Sequence, residues 1–185
     1  VYIVGVEKTD RSKPFQLNLN EYKFKPKYFI DVVEDEFIDS LRLSENQEKN
    51  IRDFMKKKQP SFHDGMRRVG QAYTCPGGNV GQAYHAYGMV PTLTKVWARF
   101  MPIYFPDKKT ENYLDVVSPD FVANENYGDG HIRRASVQEV MRLQGFPDIF
   151  VPHRKDSMAY QHAGNAVNAK VVKVIAECIF DYLKL

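Results

Sequence analysis

The chain has little cysteine: 185 residues include only Cys75 and Cys178. Two cysteines are too few for a disulfide framework, and such low usage fits a reducing cytoplasm. No run of about 18 consecutive apolar residues occurs, so we expect no membrane span. No basic segment leads into an apolar stretch and a cleavage site either. We therefore expect a cytoplasmic protein. Because it begins with Val1 inside a strand-like sequence, we also expect that a preceding part is missing.

The common nucleotide-binding fingerprints are also absent. Gly65–Gly88 holds six of the eleven glycines, but no Gly-Lys-Ser/Thr follows, which excludes a P-loop, and no Rossmann fingerprint occurs. Glycine is unfavourable inside helices and strands, so this segment is predicted to be irregular backbone. With its arginines and tyrosines it suits a loop that enters a DNA groove, where arginine contacts guanine or phosphate. The alternative is a disordered or partner-covered loop.

The scattered histidines and cysteines indicate no metal or catalytic set. Cys75, His63 and His85 have suitable side chains for zinc, but their spacing is not that of a structural site. No Ser-His-Asp arrangement can be argued from the five histidines. We therefore predict no metal site.

Hydrophobic residues make up 43% of the chain and aromatic residues 13%, as in folded proteins with a core of their own. The net charge of +3 is unevenly distributed. Gly65–Lys109 carries six basic residues and one acid, whereas Glu111–Gly130 carries five acids and no base. A basic centre of this kind suits a phosphate-facing surface. On charge alone, a solvated face explains it equally well.

Local patterns predict several elements of the fold. Val1–Val6 is typical of a central strand. Ser44–Lys58 predicts a helix that is capped by Ser44 and Gln47. Val90–Phe105 predicts two strands, with Thr92 and Thr94 on one side.

Two further helices with a glycine turn between them are predicted near the end of the chain. Ser136 and Glu139 form a capping-box pattern, and Gly145 is expected to end that helix in a left-handed conformation. Gly164–Asn165 is predicted to open the next helix with its N–H groups exposed to a polar ligand. That helix, about 166–184, has an apolar stripe that would bury Cys178.

These last helices carry a resemblance. The pattern Arg133-x-x-Ser136-x-x-Glu139, followed by Gln-Gly-Phe-Pro at 144–147, resembles motif IX of the DNA (cytosine-5) methyltransferases. Tyr160-x-x-x-Gly164-Asn165-Ala166-Val167 resembles motif X, at the expected distance. Val1–Val6 is similar to the end of motif VIII. Gln138, Ala135 and His162-Ala163 depart from the usual residues.

The resemblance implies three segments and an α+β fold. Residues 1–19 would be a strand and crossover of the catalytic-domain fold, and 20–130 a small, mixed target-recognition domain. Residues 131–185 would be motifs IX and X with the C-terminal helix. The first strand and the last helix would complete the Rossmann-like methyltransferase fold of a partner chain.

It also implies roles for particular residues. Gly164, Asn165, Ala166 and Val167 would line the S-adenosyl-L-methionine pocket. Arg133, Glu139 and Gly145 would support the recognition region. Pro91-Thr92-Leu93-Thr94 is similar to the Thr-Leu pair found in the recognition regions of the family. The candidate contacts to double-stranded DNA are Arg67, Arg68, Thr92, Leu93, Thr94, Lys95 and Arg99.

Members of the family flip a cytosine out of the duplex, attack it with a cysteine thiolate and methylate its C5. The Phe-x-Gly-x-Gly loop, Pro-Cys nucleophile and Glu-Asn-Val acid that do this chemistry are absent here, and Cys75-Pro76 has the reverse order. The resemblance thus implies a recognition part that is inactive without a second chain or a missing N-terminal half, as in split restriction–modification enzymes. The alternative is a DNA-binding or interaction module without catalysis.

Overall fold

The computed structural model describes residues 15, 17, 28–57, 61–63, 66–71, 81–94, 98–107 and 130–183. The strand predicted at Val1–Val6 and nearly all of the acidic stretch 111–130 lie outside these ranges. Within them, no helix has the length and apolar character needed to cross a membrane.

The described helices are α1 (Glu45–Lys57), α2 (Val137–Leu143), α3 (Asp156–Asn165) and α4 (Ala169–Leu183), with 3₁₀ turns at Phe29–Val32, Asp39–Leu41 and Ala98–Phe100. The capping box of α1 forms as predicted: the Gln47 amide donates to Ser44 Oγ over 3.4 Å, and the Ser44 amide donates to Gln47 Oε1 over 3.1 Å. Ile51 is fully buried, with Leu43 and Met55 packed beside it. The predicted helix at 44–58 is therefore confirmed.

The strands are β1 (Ser61–His63), β2 (Met66–Gln71), β3 (Gln82–His85), β4 (Pro102–Phe105) and β5 (His131–Arg134). They form one sheet in the order β1-β2-β3-β4-β5. Only β3 and β4 are parallel; the other neighbouring pairs are antiparallel. A mixed sheet with helices agrees with the expected α+β class. Strand β5 belongs to the third expected segment, yet it pairs with β4 of the second.

The prediction of irregular backbone throughout Gly65–Gly88 is wrong, because strands β2 and β3 lie within it. Gly70 stands at a register shift between these antiparallel strands. Gly81 has φ 76° immediately before β3. Glycines at a bulge and at a strand entrance are compatible with a sheet. Gly70 lies where the pairing of β2 with β3 is irregular, and Gly81 lies just before β3 begins.

The prediction of two strands in Val90–Phe105 is also wrong. Among the described residues of this range, 90–94 are irregular, Ala98–Phe100 is a 3₁₀ turn, and only Pro102–Phe105 is a strand. All four residues of β4 are buried, since neighbouring strands and packed layers surround it. A strand buried on both faces is a continuous apolar run, which alternation cannot locate.

The sheet separates two core clusters, because successive side chains of a strand point to opposite faces. Ile103 and Phe105 lie in the larger cluster, together with residues of α2 and α3. Tyr104 lies in the smaller cluster with Ile51 of α1. Helix α1 therefore covers one face of the sheet, and α2 and α3 cover the other.

Helix α4 begins at Ala169, three residues later than the sequence predicts. Its predicted stripe faces inward, with Val174 buried and Val171, Ile175 and Ile179 partly so. Cys178 is only half-buried, so the prediction of a buried thiol is wrong. The helix has apolar side chains over more of its circumference than its described neighbours cover.

Candidate functional site

A buried ion pair joins strand β5 to helix α2. Arg133 is 1% exposed and Glu139 is 0% exposed. Arg133 Nη2 donates to Glu139 Oε1 over 2.6 Å, and Nη1 donates to Oε2 over 2.9 Å. Two parallel charge-assisted bonds of this kind fix the orientation of both side chains. The Arg133 guanidinium also lies 4.8 Å from the ring centroid of Phe105.

The same pair holds the segment 34–36 from a distance of about 100 residues along the chain. Arg133 donates from Nη2 to the Asp35 carbonyl over 2.5 Å and from Nε to the Glu36 carbonyl over 3.0 Å. Glu139 Oε1 accepts from the Glu34 amide over 3.1 Å. Because backbone groups satisfy the remaining hydrogen-bond donors and acceptors of both side chains, the pair avoids the large penalty of unpaired buried charge.

Ser136 and Glu139 form the capping box of α2 that the sequence predicts. Ser136 Oγ accepts from the Glu139 amide over 3.0 Å, and Glu139 Oε2 accepts from the Ser136 amide over 2.7 Å. Ser136 Oγ in turn donates to Glu34 Oε2 over 2.5 Å. Gly145 ends the helix with φ 83°, as predicted. One carboxylate thus serves the cap, the ion pair and the segment 34–36.

Tyr160 of α3 ties the second motif to the first. Its hydroxyl donates to the Ala135 carbonyl over 2.7 Å. Both residues are buried, and Tyr160 packs in the larger core cluster. Burial raises the pKa of the Tyr160 phenol to about 12, because the charged form is poorly solvated there.

Replacement of Tyr160 by Phe should lower the free energy of unfolding by about 1 kcal/mol at pH 7, since Ala135 loses its donor. In the unfolded chain the phenol ionises at about pH 10, against about 12 in the fold. The resulting stabilisation is complete below pH 10 and is lost as the pH rises towards 12, by up to about 1.4 kcal/mol per pH unit. Urea denaturation should therefore give similar stabilities for wild type and Y160F at about pH 11. An equal deficit at both pH values would contradict this.

The structure corrects the prediction that Gly164–Asn165 opens a helix. Both residues close α3, and Ala166 is its C-cap. Glycine and asparagine are also common at helix ends, and here the C-terminal role is observed. Asn165 and Val167 are exposed, whereas Gly164 and Ala166 are half-buried. The four candidate cofactor residues therefore lie at the end of α3 and in its connection to α4, and together they are called the turn Gly164–Val167.

Two side chains brace this turn. Gln144, at the C-cap of α2, donates from Nε2 to the Ala163 carbonyl over 2.9 Å and to the Ala166 carbonyl over 3.5 Å. The main-chain carbonyl of Gln144 accepts from the Ala169 amide over 2.9 Å. Asn168 Oδ1 accepts from the amides of Lys170 and Val171 over 3.1 and 3.3 Å, which is the geometry of an N-cap.

The candidate DNA contacts lie in separate elements. Thr92, Thr94 and Arg99 are exposed, but Thr92 and Thr94 are not on the predicted strand. Leu93 is buried in the larger core. Arg68, in β2, lies 5.3 Å from the ring centroid of Phe54. Lys95 and the side chain of Arg67 lie outside the described part of the chain.

Sequence reasoning misses Gln144, Asn168 and Glu34. Asn168 has a local signal, because asparagine is a preferred N-cap and an apolar helical stripe follows it. Gln144 stands in the motif IX pattern, but neither it nor Glu34 has a local signal for these contacts, since their partners lie on other elements. His85 is buried and its Nδ1 accepts from the Tyr87 amide over 3.2 Å. Cys75 lies outside the described ranges, and within those ranges no group of three or more His, Cys, Asp or Glu side chains could hold a metal ion.

The sequence model for C-5 cytosine-specific DNA methylases matches residues 1–181. Over 71 residues the chain is 42% identical to the type II methyltransferase M.HgiCI of Herpetosiphon aurantiacus. The matched segment covers 36% of this chain and 17% of that protein. Over 49 residues it is 48% identical to the type II methyltransferase M.BanI of Aneurinibacillus aneurinilyticus, covering 26% and 11%. The matched segments are therefore a small part of either relative.

The fold is similar to that of the Entamoeba histolytica methyltransferase EhMeth, with a TM-score of 0.51 and 17% identity over 95% of this chain and 47% of that one. For the S. pombe methyltransferase Dnmt2 the TM-score is 0.47, with 16% identity over 90% and 46% of the two chains. The likeness to EhMeth concerns the fold, and it spans less than half of that protein.

Proposed function

Because this chain belongs to the C-5 cytosine-specific DNA methylase family, we propose that it is the C-terminal, recognition-bearing part of a DNA (cytosine-5-)-methyltransferase. It reads a specific duplex sequence and completes the S-adenosyl-L-methionine site of an enzyme that methylates a flipped cytosine. The observation that carries this proposal is the family match over residues 1–181 in a chain that lacks the three catalytic motifs. The type II names of its relatives favour a restriction–modification setting.

The proposal requires a second polypeptide, or a missing N-terminal half, that carries the catalytic cysteine. Attack on cytosine needs a thiolate, and neither cysteine of this chain is in the Pro-Cys order of the family. Methylation also requires a base held outside the duplex stack, which DNA recognition alone does not provide. We therefore expect this chain to be inactive by itself.

Exposed apolar side chains support the presence of such a second polypeptide or N-terminal half, which would cover them. Val172 and Phe180 of α4 are 41% and 54% exposed. Their positions are close enough on the helix wheel to form a second apolar face beside the inward stripe. Ile149 and Val151, after α2, are 89% and 85% exposed. Apolar surface of this kind marks an interface when it is contiguous. We propose that the catalytic part of the enzyme covers it.

The turn Gly164–Val167 has suitable chemistry for part of the cofactor site. Asn165 presents an exposed carboxamide, which both donates and accepts hydrogen bonds. Val167 adds an exposed apolar side chain to the same turn. A polar ligand with an apolar body needs this combination. When bound, S-adenosyl-L-methionine supplies the methyl group, and these turn residues would contact it from this side.

DNA reading is assigned to residues 20–130, with 1–19 and 131–185 belonging to the catalytic-domain side. The exposed Arg99, Thr92 and Thr94 are suited to contact phosphates or base edges. Arg67, Arg68 and Lys95 remain proposed DNA contacts of this segment. Leu93 would act from the core, by holding the segment 91–94 in place. The Arg133–Glu139 pair and Gly145 would support the recognition region.

Methyl transfer from labelled S-adenosyl-L-methionine to DNA tests this assignment. The chain should show no transfer alone and measurable transfer once a second chain with the three missing motifs is added. Activity in the mixture requires both chains, so omission of either one is the control. Transfer by this chain alone would contradict the proposal.

The second candidate is a DNA-binding module without catalysis. The combination of exposed Thr92, Thr94 and Arg99 with missing catalytic motifs favours it. Phosphate contacts release counterions, so its affinity should fall steeply with salt. Salt-sensitive DNA binding by the chain alone, with no transfer in any mixture, would favour this module over the enzyme part.

A further inference from the structure

We propose that Gln144 is a positioning residue for the S-adenosyl-L-methionine site, acting through the turn Gly164–Val167. The inference rests on the proposed function, because it requires that this turn contacts the cofactor. Gln144 itself is the C-cap of α2 and is buried. It therefore affects the site through the backbone that it holds and makes no contact with the ligand.

The carboxamide of Gln144 occupies the carbonyl end of α3. The last carbonyls of a helix lack partners within the helix, so they need donors from elsewhere. The Ala163 carbonyl receives the Ala166 amide over 3.3 Å and Gln144 Nε2 over 2.9 Å. The Ala166 carbonyl receives the same nitrogen over 3.5 Å. One carboxamide thus fixes both flanks of Gly164–Asn165.

The main chain of Gln144 fixes the other end of the turn. Its carbonyl accepts from the Ala169 amide, which is the first amide of α4 and lacks a partner within that helix. Asn168 adds a contact from Nδ2 to the Leu143 carbonyl over 3.4 Å. The end of α2 therefore contacts both helices that flank the turn. Loss of the carboxamide would free the α3 side and leave the α4 side in place.

The residues on the exposed side of the turn make the effect specific. Asn165 and Val167 are exposed, so packing constrains them less than it constrains the buried residues around them. Their placement depends on the backbone between Ala163 and Ala169, which Gln144 holds at both ends. A ligand that contacts them must order the turn itself once the carboxamide is gone. That ordering reduces affinity for the cofactor without altering the DNA-reading segment.

Gln144→Met keeps the length of the side chain and removes the donor, so it is the variant of choice. Gln138→Met is the matched control on the same helix, where no hydrogen bond of the side chain is found within the described residues. Gln144→Asn retains the carboxamide on a shorter side chain and should keep part of the affinity for S-adenosylhomocysteine that Gln144→Met loses. All are compared in the complex with the chain that supplies the catalytic motifs.

The binding of S-adenosylhomocysteine and of a DNA duplex is measured by calorimetry, together with KM for each substrate and kcat. Q144M should raise the Kd for S-adenosylhomocysteine and the KM for S-adenosyl-L-methionine about tenfold, the effect of one lost hydrogen bond. The Kd for DNA and kcat should change less than about twofold. Hydrogen exchange should show faster exchange at the Ala166 amide and little change in α1.

Two results would overturn the inference. In one, Q144M loosens the turn but binds S-adenosylhomocysteine as wild type does. In the other, affinities for S-adenosylhomocysteine and DNA fall together, which indicates general unfolding. If Q144M does not fold, Q144N is tested in its place, by comparing its loss of affinity for S-adenosylhomocysteine with its loss of affinity for DNA. A wild-type complex that binds no S-adenosylhomocysteine would instead refute the proposed function, and the inference with it.

Discussion

Breaking the Arg133–Glu139 pair is expected to lower the free energy of unfolding by about 3–5 kcal/mol, because an unpaired charge then remains buried. In Glu139→Gln, one carboxylate oxygen becomes an NH2 group, whose hydrogens face Arg133 and either the Ser136 amide or the Glu34 amide, both of which donate to Glu139 in the wild type. In Arg133→Met, the carbonyls of Asp35 and Glu36 each lose the hydrogen bond from Arg133 as well. Urea denaturation followed by circular dichroism measures both losses.

The double variant Arg133→Met, Glu139→Gln separates charge from packing. With both ions removed, it should be less destabilised than the sum of the two single variants, by about 1–3 kcal/mol of coupling. Glu177→Gln is the control, because its contact with Lys173 is long, at 3.7 Å, and lies on the surface. Such pairs contribute at most about 1 kcal/mol. Additive losses in the double variant would show that the two ions do not stabilise each other.

Helix caps are predictable from the sequence because their partners are three residues apart. Ser44 with Gln47 and Ser136 with Glu139 both form the bonds that their spacing indicates. The left-handed Gly145 is equally local, since only the conformation of one residue is needed. These signals lie inside single elements, so the rest of the fold does not alter them.

The sheet is not predictable in the same way, because its partners are far apart in the chain. Ile103 pairs with Arg133, and Tyr84 pairs with Ile103 in parallel. The contact of Glu34 with Ser136 spans 102 residues. No local pattern indicates such pairings. The uninterrupted apolar strand Pro102–Phe105 also hides the alternation by which strands are usually found.

The turn at Gly164 shows why a motif can be identified while its geometry is mistaken. Glycine and asparagine occur at helix ends of both kinds. The decisive residue is Asn168, which caps α4 through Lys170 and Val171. Since Asn168 caps α4, the helix before it has to end upstream of Asn168, and it ends at Asn165. The sequence therefore indicates that two helices meet here, but the contacts of Asn168 decide where.

Gly130→Val is expected to destabilise the fold by about 3 kcal/mol or more, because a side chain at this position meets backbone. A Cβ on Gly130 would lie 2.1 Å from the Phe105 carbonyl oxygen and 2.6 Å from Tyr104 Cε2. The carbonyl belongs to β4, which pairs with β5 directly after Gly130. Relief of the clash requires separation of these two strands. Arg52, which donates to the Gly130 carbonyl over 2.8 Å, would then also lose this hydrogen bond.

Gly145→Ala is the matched control, since its cost has a different origin. Its φ of 83° is strained for alanine, but the nearest side-chain atom to a new Cβ is the flexible Lys170 Cγ at 3.2 Å. We expect a loss of about 1 kcal/mol there, typical of a left-handed residue. Thermal and urea denaturation of both variants compare the two sites. A Gly130 variant that loses no more than Gly145→Ala would show that β4 and β5 yield easily at this point, and that Arg133 is held less rigidly than its contacts indicate.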